Sequence, residues 1–175
     1  GGIEKMAKKQ ITVLGVGNIL FTDEGIGVRV VETLEAQYTF AENVKLVDGG
    51  VLGMSLLSVV SDADHLIVVD AVKNGGKPGS LYRLEGEEIP KRILGKNSLH
   101  QVDLLETLTL CQVFEKVPET IILGVEPEDI ETLCIELTDT VKEKLTPLSN
   151  MVLKELERLG AAYEHRKCGD EFLCA

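Results

Sequence analysis

The chain has 175 residues, 44% of them apolar, and a formal net charge of −11, which suits one compact domain with its own core. No apolar run reaches the roughly 18 residues of a membrane span, and so acidic a chain is repelled by nucleic-acid phosphate, so neither a membrane nor a nucleic acid is expected as a partner. No signal-peptide pattern opens the sequence, and Cys111, Cys134, Cys168 and Cys174 form no paired C-x-x-C motif, so reduced thiols in a cytoplasmic protein are expected. A monomer is expected as well.

Residues 1–9 are read as an N-terminal segment, with Met6 as the expected native start and the residues before it as an artificial addition. Gln10 to Val16 is rich in Ile and Val and predicts a buried strand. Gly17 to Gly25 is a loop. Ile26, Val30, Leu34 and Tyr38 recur every four residues and predict an amphipathic helix. Val44 to Val47 is a second strand closed by Asp48-Gly49-Gly50, and Val51 to Val60 reads as helix. His65 to Val72 is a third strand, the most apolar of the set. The turn at 73–79 contains Gly-Gly and Pro, and Ser80 to Leu84 and Thr120 to Val125 are further strands. Leu99 to Leu110 is a helix with Ser98 at its cap. From Thr138 onward, Val141, Leu145, Leu148, Val152, Leu156 and Leu159 mark one helical face, kinked at Pro147 and ended by Gly160. Cys111 and Cys134 lie among apolar neighbours and read as small core residues. Residues 164–175 have no periodicity and are expected to be a flexible tail.

Strands alternating with helices predict a single α/β domain over 10–163, a twisted, mostly parallel sheet with helices on both faces. Ligands of such sheets bind beyond the carboxyl ends of the strands. Three polar features fall there: Gly15-Val16-Gly17-Asn18 with Thr22-Asp23-Glu24, then Asp48-Gly49-Gly50, then Asp70 at the end of the third strand. A carboxylate so close to an apolar core has to be paired, hydrogen-bonded or bound to metal. His100, in Asn97-Ser98-Leu99-His100-Gln101, is the fourth. Two carboxylates and an imidazole suit zinc, nickel and similar divalent ions. Each also has a plainer reading. Asp70 could cap a helix, Glu24 could favour a helix dipole, and His100 could be a surface residue. His65 and His165 are read as non-functional.

The run Ile11-Thr12-Val13-Leu14-Gly15-Val16-Gly17-Asn18-Ile19-Leu20-Phe21-Thr22-Asp23-Glu24-Gly25-Ile26-Gly27-Val28 closely resembles the opening of the hydrogenase maturation endopeptidases. Asp48-Gly49-Gly50 with Gly53, Asp70-Ala71, Ser98-Leu99-His100-Gln101, Gly124-Val125-Glu126-Pro127 and Leu137-Thr138 continue the resemblance in order, over about residues 10 to 160. It implies a phosphorylase/hydrolase-like α/β fold. It implies an aspartic-type endopeptidase that removes the C-terminal extension of the nickel-iron hydrogenase large-subunit precursor after nickel insertion, and so activates the hydrogenase. It places the metal-contacting positions on Glu24, Asp70 and His100, and a further family aspartate on Asp48, for which the roles of base and of support for the ligands both stay open. No organic cofactor is implied: the nickel arrives with the substrate, and other divalent metals can occupy the same ligands. Residues 167–175 match nothing in the family pattern.

Two rivals use the same residues. A nickel-sensing chaperone of the same fold would bind without cutting. A nucleotide-binding domain would use Gly15-x-Gly17 and Asp48, but Leu20 stands where the third glycine belongs, and Asp23 and Glu24 bring negative charge to the phosphate position. No Gly-x-Ser-x-Gly and no His-Glu-x-x-His is present.

Overall fold

The computed structural model describes residues 8–50, 56–86, 88–89 and 116–167. The expected helix over Leu99 to Leu110 lies outside these residues, as do His100, Cys111, Cys168 and Cys174.

The order of elements is β1 (Ile11–Val16), a 3-10 turn (Thr22–Gly25), α1 (Ile26–Gln37), β2 (Tyr38–Phe40), β3 (Val44–Gly50), α2 (Leu56–Ser61), β4 (His65–Ala71), β5 (Leu81–Glu85), β6 (Glu119–Val125), α3 (Asp139–Lys142), α4 (Leu145–Arg158) and β7 (Tyr163–His165). Five strands form one sheet in the order β3-β1-β4-β6-β5. The first four are parallel, and β5 runs antiparallel to β6. Its direction follows from the short connection: the turn after β4 has no crossover helix, so the chain leaves and re-enters the sheet at the same end.

The pleat sends alternate residues to opposite faces. Val13, Ile67, Val69 and Leu123 pack with α1 and α4, whose contribution includes Ile26, Val30, Leu34, Leu148 and Leu156. Leu14, Leu66, Val68 and Ile122 pack on the other side with Val60 of α2 and with Ile89. Both faces are covered, which is why β1 and β4 read as continuous apolar runs rather than alternating ones.

Three expectations are corrected. The long C-terminal helix is broken rather than kinked: α3 ends at Lys142 and α4 begins at Leu145, which puts Pro147 in the first turn of α4. A proline ring clashes with the carbonyl four residues earlier, here Glu143, so the break falls on the N-terminal side of Pro147. The tail is not structureless throughout. Tyr163–His165 pairs antiparallel with β2, and Tyr38 packs against both Tyr163 and His165. Three-residue strands are too short to show a period. Cys134 is exposed rather than buried, for a reason given below. Gly160 ends α4 as expected, at φ +74°. The Ala161 and Gly160 N–H groups return to the carbonyls of Leu156 and Glu157, the pattern of a Schellman cap.

Candidate functional site

Strand order reverses at β1, whose neighbours on the two sides are β3 and β4. The loop leaving β1 therefore sits over the carboxyl ends of three parallel strands, where such sheets hold their ligands. Close packing brings this loop down onto the sheet. A side chain on Gly27 would overlap the Val69 carbonyl and come within 2.6 Å of the Val16 carbonyl, and one on Gly15 would overlap the backbone of Gly27. Only glycine allows the start of α1 to lie this near β1 and β4.

Gly17, at φ +125°, completes the approach: a β-carbon there would overlap the Glu24 carbonyl and stand 3.8 Å from Asp70 Oδ1. The backbone carbonyl of Glu24, 46 positions before Asp70 by their numbering, is thus brought near the Asp70 carboxylate above the end of β4. Asp70 is only 3% exposed, and its Oδ1 accepts the Ala71 N–H at 2.8 Å. Glu24 is half-buried in the 3-10 turn. Of the expected site residues, the structure brings the backbone of Glu24 to the carboxylate of Asp70.

Asp48 stands elsewhere. It pairs with Gly15 on the far side of β1, while Val69, just before Asp70, pairs with Gly15 on the near side. Two strand spacings, about 10 Å, separate those backbones. The Asp48 carboxylate is exposed and accepts the Gly50 N–H at 2.9 Å, fixing the bulge where β3 ends.

Two buried carboxylates that sequence reasoning left without a role hold the rim of this cleft. Asp23 is fully buried. Its oxygens accept the N–H groups of Glu128, Asp129 and Thr138 and the Thr138 hydroxyl, at 2.8 to 3.0 Å. Glu126 is 5% exposed and accepts the N–H groups of Asn74 and Gly76 and the Tyr82 hydroxyl. The first clamp fixes the loop at 128–138 to the 3-10 turn. The second fixes the turn between β4 and β5. Buried carboxylates need such donors. The signal was present: Glu126 and Thr138 lie in the motif blocks, but their partners are remote in sequence.

The Asp23 clamp explains Cys134. Its N–H donates to the Leu20 carbonyl, and its own carbonyl accepts the Thr22 N–H, each at 2.8 Å. Thr22, at φ +44°, is the one non-glycine residue with positive φ among the described residues, and its hydroxyl donates to the Glu136 carbonyl. Cys134 is therefore held by its backbone, in a segment that lies on the surface.

Among the described residues no group of three or more His, Cys, Asp or Glu side chains is gathered as a metal site; Asp70, buried at the mouth of the parallel sheet with the Glu24 backbone beside it, is the acidic group the geometry places there. His100, the third ligand expected from the sequence, lies outside the described residues. The phosphate position of a dinucleotide fold is filled differently here, since the 3-10 turn carrying Asp23 and Glu24 intervenes between β1 and α1.

Comparison with known proteins gives a consistent picture. The HycI hydrogenase maturation protease family model matches residues 28–155. The chain is 42% identical over 153 residues to the hydrogenase 2 maturation protease of Escherichia coli K12, covering 86% of this chain and 93% of that one. It is 40% identical over 161 residues to the hydrogenase expression/formation protein HupD of Thiocapsa roseopersicina, covering 90% and 72%. Among solved structures, the hydrogenase maturating endopeptidase HybD from E. coli superposes with a TM-score of 0.85 at 40% identity, covering 90% of this chain and 98% of that one.

Proposed function

This chain belongs to the hydrogenase maturation protease family, and from that premise we propose that it removes the C-terminal extension of a nickel-iron hydrogenase large-subunit precursor once nickel is in place. It is a peptidase, and the comparisons favour cutting over a chaperone role. The observation that supports the site assignment is the packing at Gly17, where the Glu24 backbone carbonyl and the Asp70 carboxylate approach one point.

In this reading nickel is part of the substrate and serves as its address. Glu24 and Asp70 supply anionic oxygens and His100 an imidazole, a ligand set suited to a borderline divalent ion. Contact with the bound nickel would hold the adjacent peptide at the cleft, so that only metal-loaded precursor is oriented for hydrolysis. The substrate's nickel would supply the Lewis-acid contribution, by polarising the scissile carbonyl or a water beside it. Asp48, across β1, supports this arrangement or acts as base on the far side of the cleft. No organic cofactor takes part, and the protein acts as a cytoplasmic monomer.

The deciding experiment incubates the protein with large-subunit precursor, with and without nickel, and follows the precursor's mass. A shortened product from the nickel-loaded form alone supports the reading. Equal cutting of both forms removes the address role of nickel, and no cutting of either removes the substrate assignment.

A further inference from the structure

We propose that the exposed apolar surface made by Leu20, Leu133 and Ile135 docks the body of the protein substrate, through a patch on the large-subunit precursor that is apolar at its centre and basic at its rim. This rests on the endopeptidase reading above and adds to it where the precursor is held.

Leu20, Leu133 and Ile135 are 48%, 74% and 62% exposed. They belong to two segments far apart in sequence that are locked together by backbone. Phe21 and Cys134 form a β-bridge, and hydrogen bonds join Cys134 to Leu20 and to Thr22. The buried Asp23 carboxylate fastens the same two segments from beneath. The surface is thus ordered before any partner arrives, which lowers the entropy cost of binding. Singly scattered apolar residues are ordinary on a surface, whereas several large aliphatic side chains gathered on one rigid support mark an interaction site.

Two features select the occupant. The first is continuity with the cleft. Leu20 lies just before the 3-10 turn that carries Glu24, so a protein seated here is also at the candidate site. Beside Ile135 a cleft of 330 Å³ opens between α1 and the start of α4, with Leu137 and Leu145 among its walls and Arg29, Glu32, Glu136 and Lys142 at its charged edges. It offers room for an apolar side chain of the partner. The second feature is charge. Glu128, Glu131, Glu136 and Asp139 are exposed in and beside the segment that carries Leu133 and Ile135, no lysine or arginine occurs from residue 118 to 141, and of the two cations lining the neighbouring cleft, Arg29 and Lys142, the first is paired with Glu32. A second copy of this chain docked face to face would oppose like charges, whereas a basic rim on a different protein is attracted.

The test compares the parent with the double variant Leu133→Ser/Ile135→Ser and with Glu131→Gln/Glu136→Gln, all cutting nickel-loaded precursor. Thermal melts followed by circular dichroism show that each is folded. Docking predicts that the serine variant raises KM about ten-fold or more with kcat little changed, as loss of uniform binding requires. It also predicts that the glutamine variant raises KM at low salt and flattens its dependence on salt. A serine variant with the parent's KM overturns the proposal. So does a parent that sediments as a dimer and a serine variant that sediments as a monomer with unchanged KM, since the surface then serves a second copy. A parent that cuts no precursor removes the endopeptidase reading itself, and is distinguishable from an unchanged KM.

Discussion

The Glu24 carbonyl and the Asp70 carboxylate converge on one point, the place a β-carbon on Gly17 would take. One residue without a side chain thereby joins the loop after β1 to the end of β4 and forms the floor of the candidate site.

Gly17→Ala is expected to be severe. The new methyl would overlap backbone, which cannot rotate away, and φ +125° is unfavourable for any side chain. A loss of about 3 kcal/mol or more is expected in urea unfolding, with precursor cutting abolished. An alanine variant as stable and as active as the parent would show that the loop is not pressed against Asp70 as described.

Glu24→Gln, Asp70→Asn and His100→Ala should each abolish cutting of nickel-loaded precursor while leaving the protein folded. The amides keep shape but lose the anionic oxygen, and alanine offers a metal no ligand. If the three act as one unit, a double variant is little worse than either single one. Rates for all variants, with circular dichroism as control, decide this; full activity in His100→Ala removes it from the site.

Asp23→Ala should act through the fold. It strands the buried N–H groups of Glu128, Asp129 and Thr138, and each unsatisfied group costs about 1–3 kcal/mol. The expected signature is a loss of at least about 3 kcal/mol with rapid proteolytic nicking between residues 128 and 138. Unchanged stability and protease resistance would mean that the loop is held by something else.

Glu155 should give acid sensitivity to the junction of β5 and α4. Burial opposes its charge, but hydrogen bonds and attraction from Arg83 and Arg158 outweigh that and hold its pKa below the usual carboxylate range. A depressed folded pKa adds stability that is complete above the unfolded value of about 4.3 and fades as pH falls through the folded value. Melting temperatures of the parent and Glu155→Gln should therefore differ at neutral pH and converge in acid. A gap that stays constant from pH 7 to below pH 4 argues against the ion triad.

Cys134 should react quickly with a maleimide in the native protein, because its side chain is exposed. Cys134→Ser should change stability by no more than about 0.5 kcal/mol, since its structural contacts are backbone ones. Slow labelling would contradict the surface position, and a large destabilisation would contradict the backbone anchoring.

The sequence alone determined the elements with strong periods and the chemistry-bearing types. The apolar runs of β1 and β4, the four-residue spacing of α1 and the Gly160 cap all follow from local preference and pattern, and the opening motif carried the family resemblance. Tertiary structure decided what depends on residues remote in the chain. It alone set Asp23 under Thr138, Glu126 over the turn at 74–76, and Glu24 against Asp70 through Gly17. The outward position of Cys134 was likewise not written in its own window. Cys134 has apolar neighbours in sequence, but which side of a loop faces water is fixed by where its backbone is tied. Local spacing encodes periodicity and turn chemistry; a buried carboxylate's donors, and a glycine's reason for having no side chain, are supplied by whatever segment the fold brings against them.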